Sequence, residues 1–203
     1  MTRIKMCGLR RPEDIAAVNR IRPEYIGFVF FPDSRRYIAP EQAALLRKSL
    51  DPGIQAVGVF VDEDPEAVAR LLEKGIIDLA QLHGHENDGY LTALLEKTNR
   101  PLIQAFRIRS AADAEAAQAS AADYILLDAG AGNGKTFDWS LLAGFSRPYF
   151  LAGGLNPENV SPAVRNLRPW AVDVSSGIET DGYKDITKMR AFADAVKNAD
   201  KEC

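Results

Sequence analysis

Cysteine and histidine are scarce in this chain, two of each in 203 residues, and that scarcity removes whole classes of chemistry. Two thiols, Cys7 and the terminal Cys203, cannot build a disulfide framework, so a reducing cytoplasm is the expected compartment. His83 and His85 are close in sequence, but no set of His, Cys and carboxylate residues has metal-site spacing. No run of Lys or Arg offers a membrane footprint, and a formal net charge of −3 argues against a nucleic-acid surface. No apolar stretch approaches the length of a membrane span. Met1-Thr2-Arg3-Ile4-Lys5 enters a strand without a signal-peptide core. Glycine and proline nowhere gather into a linker, so residues 1–203 read as one domain.

What the sequence does contain is alternation. Short β-branched or apolar runs at 3–7, 25–29, 55–60, 79–82, 102–106, 124–127, 149–152 and 171–174 read as strands. Between and after them, Ala-, Leu-, Glu- and Arg-rich segments carry a helical period. These fall at 12–19, 40–50, 65–74, 88–97, 111–119, 138–142, 159–166 and 185–197. Pro12 opens the first of them at a first-turn position. Eight βα units are the number that closes a parallel sheet on itself, so the expected fold is α/β, a single (β/α)8 TIM barrel. An open doubly wound sheet needs only six strands and would leave the last units without a place.

In such a barrel, chemistry belongs to the C-terminal ends of the strands and the loops that follow. The unusual residues fall there. Cys7 ends the first strand in Lys5-Met6-Cys7-Gly8, and alternation puts it on the same face as Lys5. A buried cysteine is often only a small hydrophobe, but a strand-end thiol near an ammonium is a candidate base. Asp128 closes the apolar run Tyr124-Ile125-Leu126-Leu127, where a carboxyl must be solvated, paired or protonated. It reads either as a loop cap or as a general acid.

Gly153-Gly154 after the seventh strand and Ser175-Ser176-Gly177 after the eighth suit an anion, because glycine lets backbone N–H groups approach phosphate oxygens. Arg36 follows the second strand, where a guanidinium could grip a carboxylate by two parallel bonds. His83 follows the fourth, as a positioning or a structural imidazole. The stretch from Asp128 to Thr136 imitates a nucleotide P-loop, yet Ala129 occupies a position that requires glycine. It reads better as a glycine-rich loop over the site, with Lys135 within reach of substrate. A base, an acid and an anion anchor together suit proton transfer on a phosphorylated small molecule.

In order along the chain, these phrases resemble the phosphoribosylanthranilate isomerase family of tryptophan biosynthesis. The series runs Lys5-Met6-Cys7-Gly8, Gly27-Phe28-Val29-Phe30 with Ser34 and Arg36, Gln81-Leu82-His83-Gly84, Asp128 and Phe137-Asp138-Trp139. Leu151-Ala152-Gly153-Gly154-Leu155, Asp173-Val174-Ser175-Ser176-Gly177-Ile178-Glu179 and Gly182-Tyr183-Lys184-Asp185 complete it. One departure is Arg35, where the family commonly has proline between serine and arginine; register with Ser34 favours Arg36 over Arg35 as the substrate contact. The resemblance implies an Amadori rearrangement with Asp128 as acid and Cys7 as base. It also implies Arg36 on the anthranilate carboxylate, with Gly153, Gly154, Ser175, Ser176 and Gly177 around the phosphate. It calls for no cofactor and no metal, and leaves monomer or homodimer open. A histidine-pathway aldose–ketose isomerase on the same barrel would show paired aspartates instead of Cys7.

Overall fold

The computed structural model describes residues 1–128, 139–142 and 144–202. Eight parallel strands close into a barrel in sequence order: β1 (Arg3–Cys7), β2 (Tyr25–Val29), β3 (Gln55–Phe60), β4 (Leu79–Leu82), β5 (Leu102–Arg107), β6 (Tyr124–Asp128), β7 (Tyr149–Ala152) and β8 (Ala171–Val174). The ring shuts where β8 pairs with β1. Among the described residues seven α-helices cover it: α1 (Pro12–Ile21), α2 (Pro40–Lys48), α3 (Pro65–Glu73), α4 (Asp88–Leu95), α5 (Ala111–Ala119), α6 (Val160–Leu167) and α7 (Ile186–Lys201). The expected TIM barrel is the observed fold.

The local chemistry explains where helices start. Pro12, Pro40 and Pro65 stand in the first turns of α1, α2 and α3, where a missing N–H costs nothing. Asp64, Asn87, Ser110 and Asp185 cap α3, α4, α5 and α7 by accepting backbone N–H groups. Two elements differ from the sequence reading. The segment expected to be helical at 138–142 forms a 3-10 turn at Trp139–Leu142, and Asp138 lies outside the described residues, as do Lys135 and Cys203. A small antiparallel hairpin, β9 (Glu179–Thr180) and β10 (Tyr183–Lys184), follows a 3-10 turn at Ser176–Ile178 and was not expected.

Closure divides the side chains into two populations. Outward residues such as Ile4, Met6, Ile26, Phe28, Ile125 and Val172 form the core between sheet and helices. Inward residues fill the lumen: Tyr25, Val57, Leu79, Ile103, Leu126, Phe150 and Ala171, with Cys7, Val29 and Val59 above them. The floor is aromatic. Phe150 meets Tyr25 and Trp170 edge-on at 5.5 and 5.1 Å between ring centroids, and the Arg3 guanidinium lies over Trp170 at 4.2 Å. Cys7 and Asp128 end their strands at the opposite, upper end of the lumen, where the loops are. We expect Phe150→Ala to cost about 3–5 kcal/mol, measured by urea unfolding; a loss below about 1 kcal/mol would show that the floor collapses to fill the hole.

Candidate active site

Lys5 and Cys7 point into the barrel from β1, and the closing register sets Lys5 opposite Asp173 of β8. The Lys5 side chain is fully buried, with its Nζ 3.0 Å from Asp173 Oδ1. Burial alone would depress this ammonium, but Asp173 and the Cys7 sulfur together outweigh it and the pKa is raised, so Lys5 is charged. Cys7 lies next along the strand, beside Gly27 of β2. A Cβ on Gly27 would stand only 2.6 Å from Cys7 Sγ, so the glycine makes the thiol's room. Burial pushes the Cys7 pKa up, and the ammonium groups of Lys5 and Lys184 reduce that rise without cancelling it. The sequence reading expected Lys5 to favour thiolate. The direction is right, but Asp173 absorbs much of its charge and desolvation wins.

Asp128 is the last residue of β6, paired in register with Arg107 and Ala152, so strand geometry turns it into the lumen. Around the ring, β6 lies three strands from β1 through β7 and β8, and the acid faces the thiol across the mouth. His83, just past β4, places Nε2 3.3 Å from Asp128 Oδ2. Its Nδ1 is 2.8 Å from Gln81 Nε2. If the buried Gln81 amide donates to Nδ1, the neutral ring carries its proton on Nε2 and donates it to Asp128. Gln81 Oε1 is buried with no partner of its own among the described residues. His85, by contrast, is exposed and paired with Asp62. Among the described residues no three His, Cys, Asp or Glu residues gather as a metal site.

The loops after β7 and β8 converge. Gly177 sits so close to Leu155 O and Asn156 that a side chain there would collide with both. Gly153 and Gly154 have φ of 100° and 67°, a conformation that L side chains rarely adopt. Asn159 Nδ2 donates to Gly154 O at 3.0 Å and pins that loop. Ser175 behaves differently from its neighbours: its hydroxyl donates to Cys7 O at 3.0 Å, tying β8 to β1. It therefore helps to fix the position of the Cys7 backbone.

Arg36 crosses the end of β1. Gly8, with φ of 82°, leaves space that the Arg36 side chain occupies. Its guanidinium is held by Glu179 through Nε to Oε1 at 2.6 Å and Nη2 to Oε2 at 2.9 Å. Arg35 reaches the same carboxylate from the exposed side, at 3.0 Å. Arg36 is therefore the arginine of the inner rim. Glu179 stood in the quoted sequence phrases without a role, and Asp181-Gly182, a dipeptide that favours tight hairpins, was the signal that could have placed it.

A thiol, a carboxyl group, a guanidinium and two glycine-bearing loops gather at the end of the closed barrel where β/α barrels carry their chemistry. A sequence profile described as N-(5'phosphoribosyl)anthranilate (PRA) isomerase matches residues 4–195. The chain belongs to that family. It is 44% identical to the N-(5'-phosphoribosyl)anthranilate isomerase of Endomicrobium trichonymphae, over 93% of this chain and 95% of that relative. The phosphoribosyl anthranilate isomerase of Thermotoga maritima is 38% identical and superposes with a TM-score of 0.90, covering 98% of this chain and all (100%) of the other. A family structure in complex with reduced 1-(o-carboxyphenylamino)-1-deoxyribulose 5-phosphate gives a TM-score of 0.88 at 38% identity, over 98% and 100% of the two chains.

The thiol's surroundings make a titration prediction. The thiolate is the reactive form, so alkylation of Cys7 by iodoacetamide should still be climbing at a pH where a free cysteine has levelled off. Lys5→Met removes a cation and leaves Asp173 unpaired, and both changes push the thiol pKa further up. A plateau at unchanged pH in Lys5→Met would show that the ammonium does not act on the thiol.

Proposed function

We propose that Cys7 and Asp128 divide the proton transfers of the family reaction, with Arg36 and the two C-terminal loops holding the substrate's charged ends. That reaction, which this chain catalyses, is the Amadori rearrangement of N-(5'-phosphoribosyl)anthranilate to 1-(2-carboxyphenylamino)-1-deoxyribulose 5-phosphate in tryptophan biosynthesis. The observation that carries the assignment is the inward placement of Cys7 and Asp128 on β1 and β6 of one barrel mouth.

The protonated Asp128 carboxyl gives its proton to the furanose ring oxygen. The C1–O bond breaks as the anilino nitrogen donates its lone pair, leaving an iminium at C1. The Cys7 sulfur then takes the C2 proton, and the C2–H electrons form the enolamine. The Cys7 thiol then returns a proton to C1 and the Asp128 carboxylate takes the one from the C2 hydroxyl, so the ketone forms and both groups regain their starting state. A thiol held above its ordinary pKa is mostly protonated near neutrality. The iminium answers this by acidifying C2–H, and Lys5 and Lys184 favour the thiolate that reacts. Proximity and acid–base assistance each supply orders of magnitude in such a site.

His83 serves as a positioning residue. Its Nε2–H on Oδ2 turns the other carboxyl oxygen, with its proton, toward the ring oxygen, and Gln81 holds the tautomer. Gly153, Gly154, Ser176 and Gly177 present backbone donors to the phosphate, with Ser175 bracing the end of β8. Arg36 receives the anthranilate carboxylate. The one described free thiol sits in the lumen, in keeping with a reducing cytoplasm; among the described residues no helix is long and apolar enough to cross a membrane.

We expect Cys7→Ser and Asp128→Asn each to lower kcat by at least about 100-fold with KM within a few-fold. Steady-state fluorescence of phosphoribosylanthranilate consumption reads both. A raised KM at unchanged kcat would remove the assignments. His83→Ala should lower kcat less than Asp128→Asn does, and should add little in the Asp128→Asn background; full additivity would show that the imidazole does not act through the carboxyl group.

A further inference from the structure

Glu179 is a nearly buried carboxylate at the mouth whose partners are all cations. Arg36 and Lys184 meet it within 3 Å, and Arg35 approaches from solvent at 3.0 Å. Burial would raise its pKa, yet hydrogen bonds from Arg36 and Lys184 hold it down to about 2. Lys184 is pushed down by burial and by the positive charge of Arg36, and Glu179 opposes that. One carboxylate thus faces three cations drawn from separate stretches of the chain.

The geometry points to Glu179 as the positioning residue that sets how Arg36 recognises the substrate carboxylate. This rests on the reading of Arg36 as that carboxylate's anchor. A guanidinium has five N–H donors arranged as forks. Glu179 occupies the side fork, Nε and Nη2, with two short parallel bonds. The fork formed by Nη1 and the second Nη2 hydrogen is the one left for a ligand, and the ion pair fixes the plane in which it lies. The same pair would discriminate, since a substrate lacking the carboxylate leaves that fork unanswered beside Lys184 and Arg35.

The scaffold that delivers Glu179 is the hairpin of β9 and β10. Its Asp181-Gly182 turn has both φ values positive, 51° and 79°, the form that matches strand twist in a two-residue loop. The hairpin is clamped at several points. Lys188 Nζ donates to Glu179 O at 2.8 Å, and Arg10 and Arg11 donate to Gly182 O and Lys184 O at 3.2 and 2.9 Å. A carboxylate so held aligns the guanidinium before substrate arrives, which lowers the ordering cost of binding.

The test compares kcat/KM for phosphoribosylanthranilate with that for N-(5'-phosphoribosyl)aniline, the same compound without the carboxylate. In Glu179→Gln we expect the preference for the carboxylate to fall about 10- to 100-fold, the range of one or two charge-assisted bonds. Any loss on the aniline compound should be the smaller of the two. Arg36→Ala should abolish the preference, and Glu179→Gln added to it should cost nothing further. Equal losses on both compounds in Glu179→Gln would overturn the inference, because a merely structural residue has that effect. If Arg36→Ala removes the preference and Glu179→Gln keeps it, the inference falls alone; if Arg36→Ala keeps it, the anchor reading falls first. Should Glu179→Gln fail to fold, Glu179→Asp, which draws the same charge back by one carbon, should give an intermediate preference. An unchanged one would again overturn the proposal.

Discussion

The first and last strands meet at a seam, and much of the active-site geometry is built on it. Lys5 and Asp173 pair inside the lumen across that seam, where neither charge could be left alone. A buried ion pair is weak evidence for net stability, because desolvation consumes most of the attraction. Breaking it from one side is another matter, since it strands a charge in a dry interior. The pair therefore enforces register more than it adds stability. Above it, Ser175 Oγ donates to Cys7 O and Lys184 Nζ to Ser175 O, so the strand end that carries the thiol is stitched to the strand end that leads into the anion loop.

That seam also sets the electrostatic surroundings of the buried thiol. Burial keeps Cys7 protonated at rest and protects it from incidental reaction. The cations acting on it each have a carboxylate partner: Lys5 is paired with Asp173, and Lys184 with Glu179. Three cations gather around Glu179, so the mouth retains positive charge for a ligand with two anionic ends. The Asp128 carboxyl across the barrel has a different neighbour, the His83 imidazole, whose Nδ1 meets Gln81 Nε2. Thiol and carboxyl thus sit in separate electrostatic settings within one lumen.

The eight strands were legible because each is a short apolar run bounded by turn residues, and β1, β2, β3, β4, β7 and β8 match their expected limits. β5 and β6 each run one residue longer, through Arg107 and Asp128, because ladder pairing continues past the apolar run. Helix ends drifted more. α2 stops at Lys48 instead of 50, and α7 extends to Lys201 instead of 197, since fraying and caps depend on what the last turn packs against. Cys7, Arg36, Asp128 and the glycine loops stood out as unusual residues at strand ends. Glu179 did not, because a glutamate in a C-terminal loop looks like a solvated one until its cations, from elements far apart in sequence, are seen around it.

By itself the sequence determined the number of βα units, and with it the closed barrel and the rim on which any chemistry must lie. Periodicity and turn residues are local properties, readable without knowing what touches what. Which side chains share the lumen's upper end was decided only by closure. Lys5 finds Asp173 at a separation of 168 residues, and Arg36 finds Glu179 at 143. Charge, burial and direction are set by such long-range neighbours, so the thiol's raised pKa and the arginine's orientation belong to the tertiary structure alone.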